Sequence, residues 1–237
     1  MKVLIDKYVI FKIILFIVLI TALSYNSITN ILVVEAEPVG IIDVMMISTT
    51  NLNKYFKEHE ILANVLLIIY SGMLDASVLL LSYNWIMHSK SYRPLVTLFL
   101  FISLKMILQE IFIMKDPNGI IFRDPGVPSL VIDYSNFNYF YSGSIGLNLI
   151  CFIELYDNMF TRIFTGCSLL ISIVITICLR INYTICIIAS LVAAHYFHLL
   201  SEKYSHYLDK IYTLEHPGEG RPIIELTNMK DIKYNPI

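Results

Sequence analysis

The sequence predicts an all-α membrane protein, a polytopic bundle of six transmembrane helices with both termini cytosolic. Three observations predict it. Hydrophobic residues make up 57% of the chain and charged residues 15%, with a mean hydropathy of +0.68, outside the usual composition of a soluble domain. Apolar runs of about 20 residues, the length that crosses a bilayer, recur along the chain. Lysine and arginine flank those runs in the alternating pattern that sets orientation. A net charge of -2 gives no electrostatic footprint for nucleic acid, so no such partner is expected.

The expected spans cover about residues 8–30, 61–87, 94–114, 139–155, 160–179 and 181–200. Residues 1–200 then form the transmembrane domain, and 201–237 a cytosolic helix extension and tail. Lys2 and Lys7 precede the first apolar run. A basic start before such a run also suits a signal peptide, but the reading taken is a retained first helix. Lys12, inside it, is expected to snorkel to the headgroups. The acidic loop 35–60 follows, with a short surface helix expected at Ile41–Ile47 and helical entry at Asn51–His59. Lys90 and Arg93 mark the next bend as cytosolic, and Pro94 suits the first turn of the third span. The stretch Lys115–Asn138 carries the turn signals Asp116-Pro117-Asn118-Gly119 and Asp124-Pro125-Gly126. The last helix is expected to run on to about Leu214, before Pro217. The cysteines Cys151, Cys167, Cys178 and Cys186 all fall in apolar runs and read as buried thiols.

Two polar signals open apolar helices in the second half. The first is Phe140-Tyr141-Ser142-Gly143-Ser144, the second Arg180-Ile181-Asn182-Tyr183-Thr184-Ile185-Cys186. Over roughly Arg123 to Lys210 the chain resembles the sphingomyelin synthases, and more closely the phosphatidylcholine:diacylglycerol cholinephosphotransferases. The resemblance implies the phosphatidic-acid-phosphatase-type fold, with both signals meeting at the exoplasmic face. Those enzymes carry a Tyr-Ser-Gly-His or Phe-Ser-Gly-His turn and a His-Tyr-Thr-x-Asp turn. Here Ser144, Asn182 and Cys186 stand at the His, His and Asp positions. A carboxamide has no lone pair fit for attack on phosphorus, and a serine needs a base beside it. The resemblance therefore implies the fold without the activity: no catalytic residue, no cofactor and no metal. Arg180 and Tyr141 remain as possible headgroup-binding residues. A packed polar cluster closing the helix ends is the alternative. Asn182-Tyr183-Thr184 is also a glycosylation sequon, expected to be unmodified because it abuts the bilayer.

Ionisable groups within spans are costly and usually pair. Asp75 and Lys105 fall at similar depth on adjacent spans and are expected to pair, a carboxylate-lined path being the alternative. His195, His198, Glu202 and His206 share a helix face, which suits a wet surface, a partner contact or, less readily, zinc. The functional expectation is an accessory or modulatory subunit, in contact with membrane lipid and bound to a larger integral membrane protein such as a transporter or cation-pumping ATPase. Its place is the plasma membrane or a secretory-pathway membrane. Small and polar residues let helices approach closely and give two candidate partner faces. They are Ser71, Gly72, Asp75 and Ser82 on the second span, and Thr165, Gly166, Ser168, Ser172 and Thr176 on the fifth. The fifth is preferred because it carries no ionisable group that the bundle itself must satisfy. Packing of these residues inside the bundle is the alternative. The competing readings are an active lipid phosphotransferase with a diverged site, and a lipid-binding protein.

Overall fold

The computed structural model describes residues 7–26, 42–89, 91–112, 116–132, 134, 141–156 and 158–215. Among them the chain is all-α, with eight helices. They are α1 (Lys7–Asn26), α2 (Val44–Ser48), α3 (Thr50–Glu58), α4 (Glu60–Met87), α5 (Arg93–Ile111), α6 (Gly143–Glu154), α7 (Met159–Cys178) and α8 (Thr184–Glu215). Among the described residues three segments are long and apolar enough to cross a membrane: α4, α7 and Thr184–Ser205 of α8. That fits a membrane helical protein. The fourth expected span is shorter than the sequence suggests. α6 has 12 residues, about 18 Å at 1.5 Å per residue, because Tyr141 and Ser142 are not helical.

Local chemistry sets the helix starts. The Asp43 side chain accepts from Met45 N and Met46 N and opens α2, and Asn158 accepts from Phe160 N and opens α7. Proline sits in the first turn of α5. The bundle is built around α6, which packs on α4, α5, α7 and α8. α7 and α8 follow each other in sequence, yet each packs on α6 rather than on the other. For orientation, the upper end is the one carrying the α7–α8 turn, and the lower end carries the α4–α5 turn.

α4 and α5, though consecutive, meet mainly through side chains of a shared apolar cluster that includes Leu74, Val78, Phe101 and Ile102. α1 lies against both, and the loop after α5 folds back onto α4. The expected pair of Asp75 and Lys105 does not form among the described residues. Asp75 instead accepts from Ser129 Oγ at 2.9 Å and Leu130 N at 3.0 Å. Lys105 lies against the start of α6, where a Cβ on Gly143 would stand 2.9 Å from its Nζ. Lys12 does not snorkel: it is 1% exposed and donates to Trp85 O at 2.9 Å and to Ser89 O. An ammonium on one carbonyl in the last turn of α4 and one just past its cap suits the negative end of that helix.

The expected partner face on α7 is also corrected. Thr165, Ser168, Ser172 and Thr176 are fully buried inside the bundle. Asn148 of α6 donates to Ser172 Oγ at 2.9 Å and accepts from Ser168 Oγ at 2.9 Å. Gly166 faces Phe152 of α6, 3.1 Å from where a Cβ would stand. A hydroxyl turned toward lipid has no partner but its own backbone, whereas turned inward it bonds across the interface. The outward face of α7 is bulky instead, with Phe160, Ile163, Leu170 and Val174 exposed. Cys167 lies on that exposed side rather than buried, and all four thiols are free.

Gly146 brings α6 against α5, since a Cβ there would stand 2.0 Å from Phe101 Cζ. Gly146→Ala is expected to cost about 1–3 kcal/mol through overpacking. Phe101→Leu in the same chain should return part of that cost, read as thermal unfolding of the purified protein in mild detergent. Strictly additive effects of the two changes would contradict the contact.

Candidate functional site

The upper end gathers both polar signals around the α7–α8 turn. α7 closes in a Schellman arrangement: Arg180 N donates to Ile177 O at 3.3 Å and Ile181 N to Thr176 O at 2.9 Å. The reversal needs a left-handed residue after the cap, and Arg180 takes it with φ 57°. Glycine usually occupies this position, because a Cβ there costs about 1–2 kcal/mol. The side chain offsets that cost. Its guanidinium donates to Met46 O at 2.6 Å, to Thr50 Oγ1 at 2.9 Å and to Asn118 O. One residue thus ties α7 to α2, α3 and the loop after α5. Asn53 of α3 adds a bond to Cys178 O at 3.1 Å.

Asp43 completes the closure. Besides opening α2, its carboxylate accepts from Thr184 N at 2.6 Å and Thr184 Oγ1 at 3.0 Å. It therefore caps the first turn of α8 as well, where a negative charge is favoured. Cys186, one turn in, is fully buried and packs with Met46, Tyr183 and Ile120. Burial pushes the Tyr183 phenol up, further from any proton-transfer range near neutral pH.

Tyr70 of α4 joins this turn to the first signal. It is 2% exposed, its hydroxyl bonds Ser144 Oγ, and it lies beside Thr176. Ser144 Oγ also faces Ser142 Oγ at 3.4 Å. A short run of contacts therefore links Ser144, through Tyr70 and Thr176, to the turn that carries Asn182. Asn182 is 8% exposed. Its Oδ1 and the hydroxyl of Tyr141 are buried without a hydrogen-bond partner. Tyr141 packs on the Phe101 ring with centroids 5.0 Å apart. Of the expected headgroup-binding residues, Tyr141 is 1% exposed, and Arg180 is part-exposed with its guanidinium engaged by Met46 O, Asn118 O and Thr50 Oγ1.

Beside this cluster an open cleft of about 200 Å³ is lined by Phe56, Lys57, Glu60, Ile121 and Arg123, among others. Arg123 is engaged there by Asn64 Oδ1 at 2.9 Å and Glu60 at 3.3 Å. At the lower end Arg93 reaches Glu154 Oε2 at 2.9 Å, and His198 meets Glu154 Oε1 at 2.9 Å. Asp209 accepts from Ser91 Oγ at 2.7 Å and Tyr92 N at 2.9 Å. His198 is thus spent at the end opposite Arg180. His195 and Glu202 are exposed on α8. The side chain of His206 falls outside the described residues. Among the described residues no group of three His, Cys, Asp or Glu side chains suits a metal ion.

Chemically, the upper cluster offers hydroxyls, a carboxamide and a buried thiol, with the Lys105 ammonium beside Gly143 at the start of α6 and the Asp43 and Arg180 charges at helix ends. Sequence reasoning missed Tyr70, Asp43 and Asn148. Asp43 carried a readable signal, an Asp directly before an apolar helical run. Tyr70 and Asn148 act through helix pairings that no local pattern reveals. Compared with known proteins, the chain matches no protein-family profile, no curated protein and no solved structure.

Arg180→Ala is expected to destabilise the protein more than Arg180→Gly, by about 1 kcal/mol. Both lose the guanidinium bonds, but only alanine keeps the left-handed strain. Thermal unfolding of both variants checks this. An alanine variant as stable as the glycine one would contradict the geometry.

Proposed function

We propose that this protein is a catalytically silent, multi-pass membrane subunit that works by binding a larger integral membrane protein, a transporter or cation-pumping ATPase. In this reading the helices form six spans with the upper end exoplasmic and both termini cytosolic. The bundle is a degenerate relative of the phosphatidic-acid-phosphatase-type lipid phosphotransferases, in the plasma membrane or a secretory-pathway membrane. The carrying observation is how Ser144, Cys186 and Arg180 are engaged at the upper end. Ser144 bonds Tyr70 rather than a base, Cys186 is sealed by apolar neighbours, and Arg180 is spent on carbonyls. Chemistry on phosphorus needs a nucleophile with a base in reach and a cation free for the anion.

A face for the partner is available on α4 rather than on α7. Val65, Ile68, Gly72, Leu79 and Tyr83 are exposed there, with Ala76 part-exposed one turn beyond Gly72. Gly72 and Ala76 make a small-x-x-x-small pair, the spacing that lets two membrane helices come close. Nothing lies within 4 Å of a Cβ built on Gly72. A larger side chain at that position therefore disturbs only an approaching helix, not this bundle.

Affinity purification from the native membrane in mild detergent tests the reading. The wild-type chain should bring down one integral membrane protein in stoichiometric amount, and Gly72→Leu should reduce it several-fold at unchanged thermal stability. Recovery of no partner would contradict the subunit reading, and full retention by Gly72→Leu would move the partner off this face. In parallel, the purified chain should not transfer phosphocholine from phosphatidylcholine to diacylglycerol or ceramide. Turnover that disappears in Cys186→Ser would instead establish an active diverged site.

A further inference from the structure

We infer that the segment Ile42–Ile47 is an anchor in the membrane interface at the upper end, with its apolar side chains in the lipid headgroup and acyl boundary. Of its large side chains only Met46 turns into the protein, against Tyr183 and Cys186. Ile42 is 85% exposed, Val44 70%, Met45 49% and Ile47 59%. Four large apolar groups side by side on a polar loop form a patch that water disfavours.

The fold fixes the depth of this patch. Asp43 holds Thr184 N at 2.6 Å, and Thr184 begins the apolar segment of α8 that is long enough to cross a membrane. α2 therefore sits level with the end of a span. Ile185 and Ile188, on the first turns of that span, are exposed as well. The apolar patch on α2 thus continues the lipid-facing surface of α8, which identifies its occupant as lipid.

The next helix reads the opposite way. The exposed residues of α3 are mostly polar, Asn51, Lys54, Lys57 and Glu58, with Leu52 and Tyr55 among them, and its charges belong in water. A strongly apolar turn followed by a polar helix is the sequence of a segment that dips into the interface and leaves it again. The anchor also has a consequence for the Arg180 contacts. Met46 O, one of the three acceptors of that guanidinium, belongs to this same segment, and Thr50 Oγ1, a second, opens the helix that follows it. Lipid binding and closure of the helix ends are therefore mechanically joined, independently of any partner on α4.

Nitroxide labels measure this directly. Single cysteines replace Val44, Ile47, Lys54 and Glu58 in turn within a Cys167→Ala chain, the remaining thiols being buried. Each labelled protein is reconstituted in phosphatidylcholine vesicles, after its thermal unfolding has been matched to the unlabelled chain. Collision with oxygen, which concentrates in lipid, is compared with collision with a water-soluble nickel chelate. The oxygen-to-nickel ratio should be several-fold higher at positions 44 and 47 than at 54 and 58. Equal ratios at all four positions would place α2 in water and overturn the inference. Exclusion of both reagents at 44 and 47 would mean that protein covers the patch, and would overturn it too.

Discussion

The closure of the α7–α8 turn by Arg180 is the contact on which the upper end depends. The residue occupies a backbone position made for glycine, with φ 57°. It is tolerated there because its guanidinium gathers acceptors from three separate segments. Without those bonds the carbonyls of Met46 and Asn118 would lose a charged donor, and α2 and α3 one of their ties to the bundle, beside Asp43–Thr184 and Asn53–Cys178. Asp43 mirrors the arrangement on the helix starts, serving α2 and α8 with one carboxylate. Opposite charges thus sit on opposite helix ends, each where the peptide dipoles favour it.

The same rule governs the interior. In a lipid-facing bundle, burial of apolar surface drives association weakly, because lipid is as apolar as leucine. Close packing and internal hydrogen bonds must supply the difference. α6 shows both: Gly146 under the Phe101 ring, and Asn148 bridging Ser168 and Ser172. Glu154 at its lower end binds α5 through Arg93 and α8 through His198. α6 is short because it need not meet lipid on its own terms; neighbours surround it. Its polar side chains then look like site residues in sequence while they act as joints in space.

Much of the helix order was legible in the sequence. Apolar runs marked α4, α5, α7 and α8, and the polar loop before α4 already read as a short helix followed by a second one. The two polar signals were also placed at the starts of their helices, and the fold brings them to one end. What failed was partner choice. Depth on consecutive helices matches Asp75 with Lys105, but the loop after α5 takes Asp75 through Ser129 and Leu130, while Lys105 lies against the start of α6. The small residues of α7 were read as a free face, although hydrophobicity is equal on both sides of a lipid-facing helix and cannot show which way a serine turns. Lys12 was placed by its length and charge, whereas the carbonyls at the end of α4 captured it. The end of α7 carried no warning either, since an arginine stands where glycine would have announced the turn.

The central claim is that the polar groups at the upper end hold the protein together instead of holding a lipid headgroup. Thermal unfolding of the purified full chain in mild detergent, titrated with phosphocholine and separately with inorganic phosphate to millimolar concentration, tests it most directly. A ligand that binds the folded state raises the unfolding temperature in proportion to its occupancy. The account predicts no saturable rise with either compound. A saturable rise that Arg180→Gln abolishes would show that the guanidinium still receives an anion, and would contradict it.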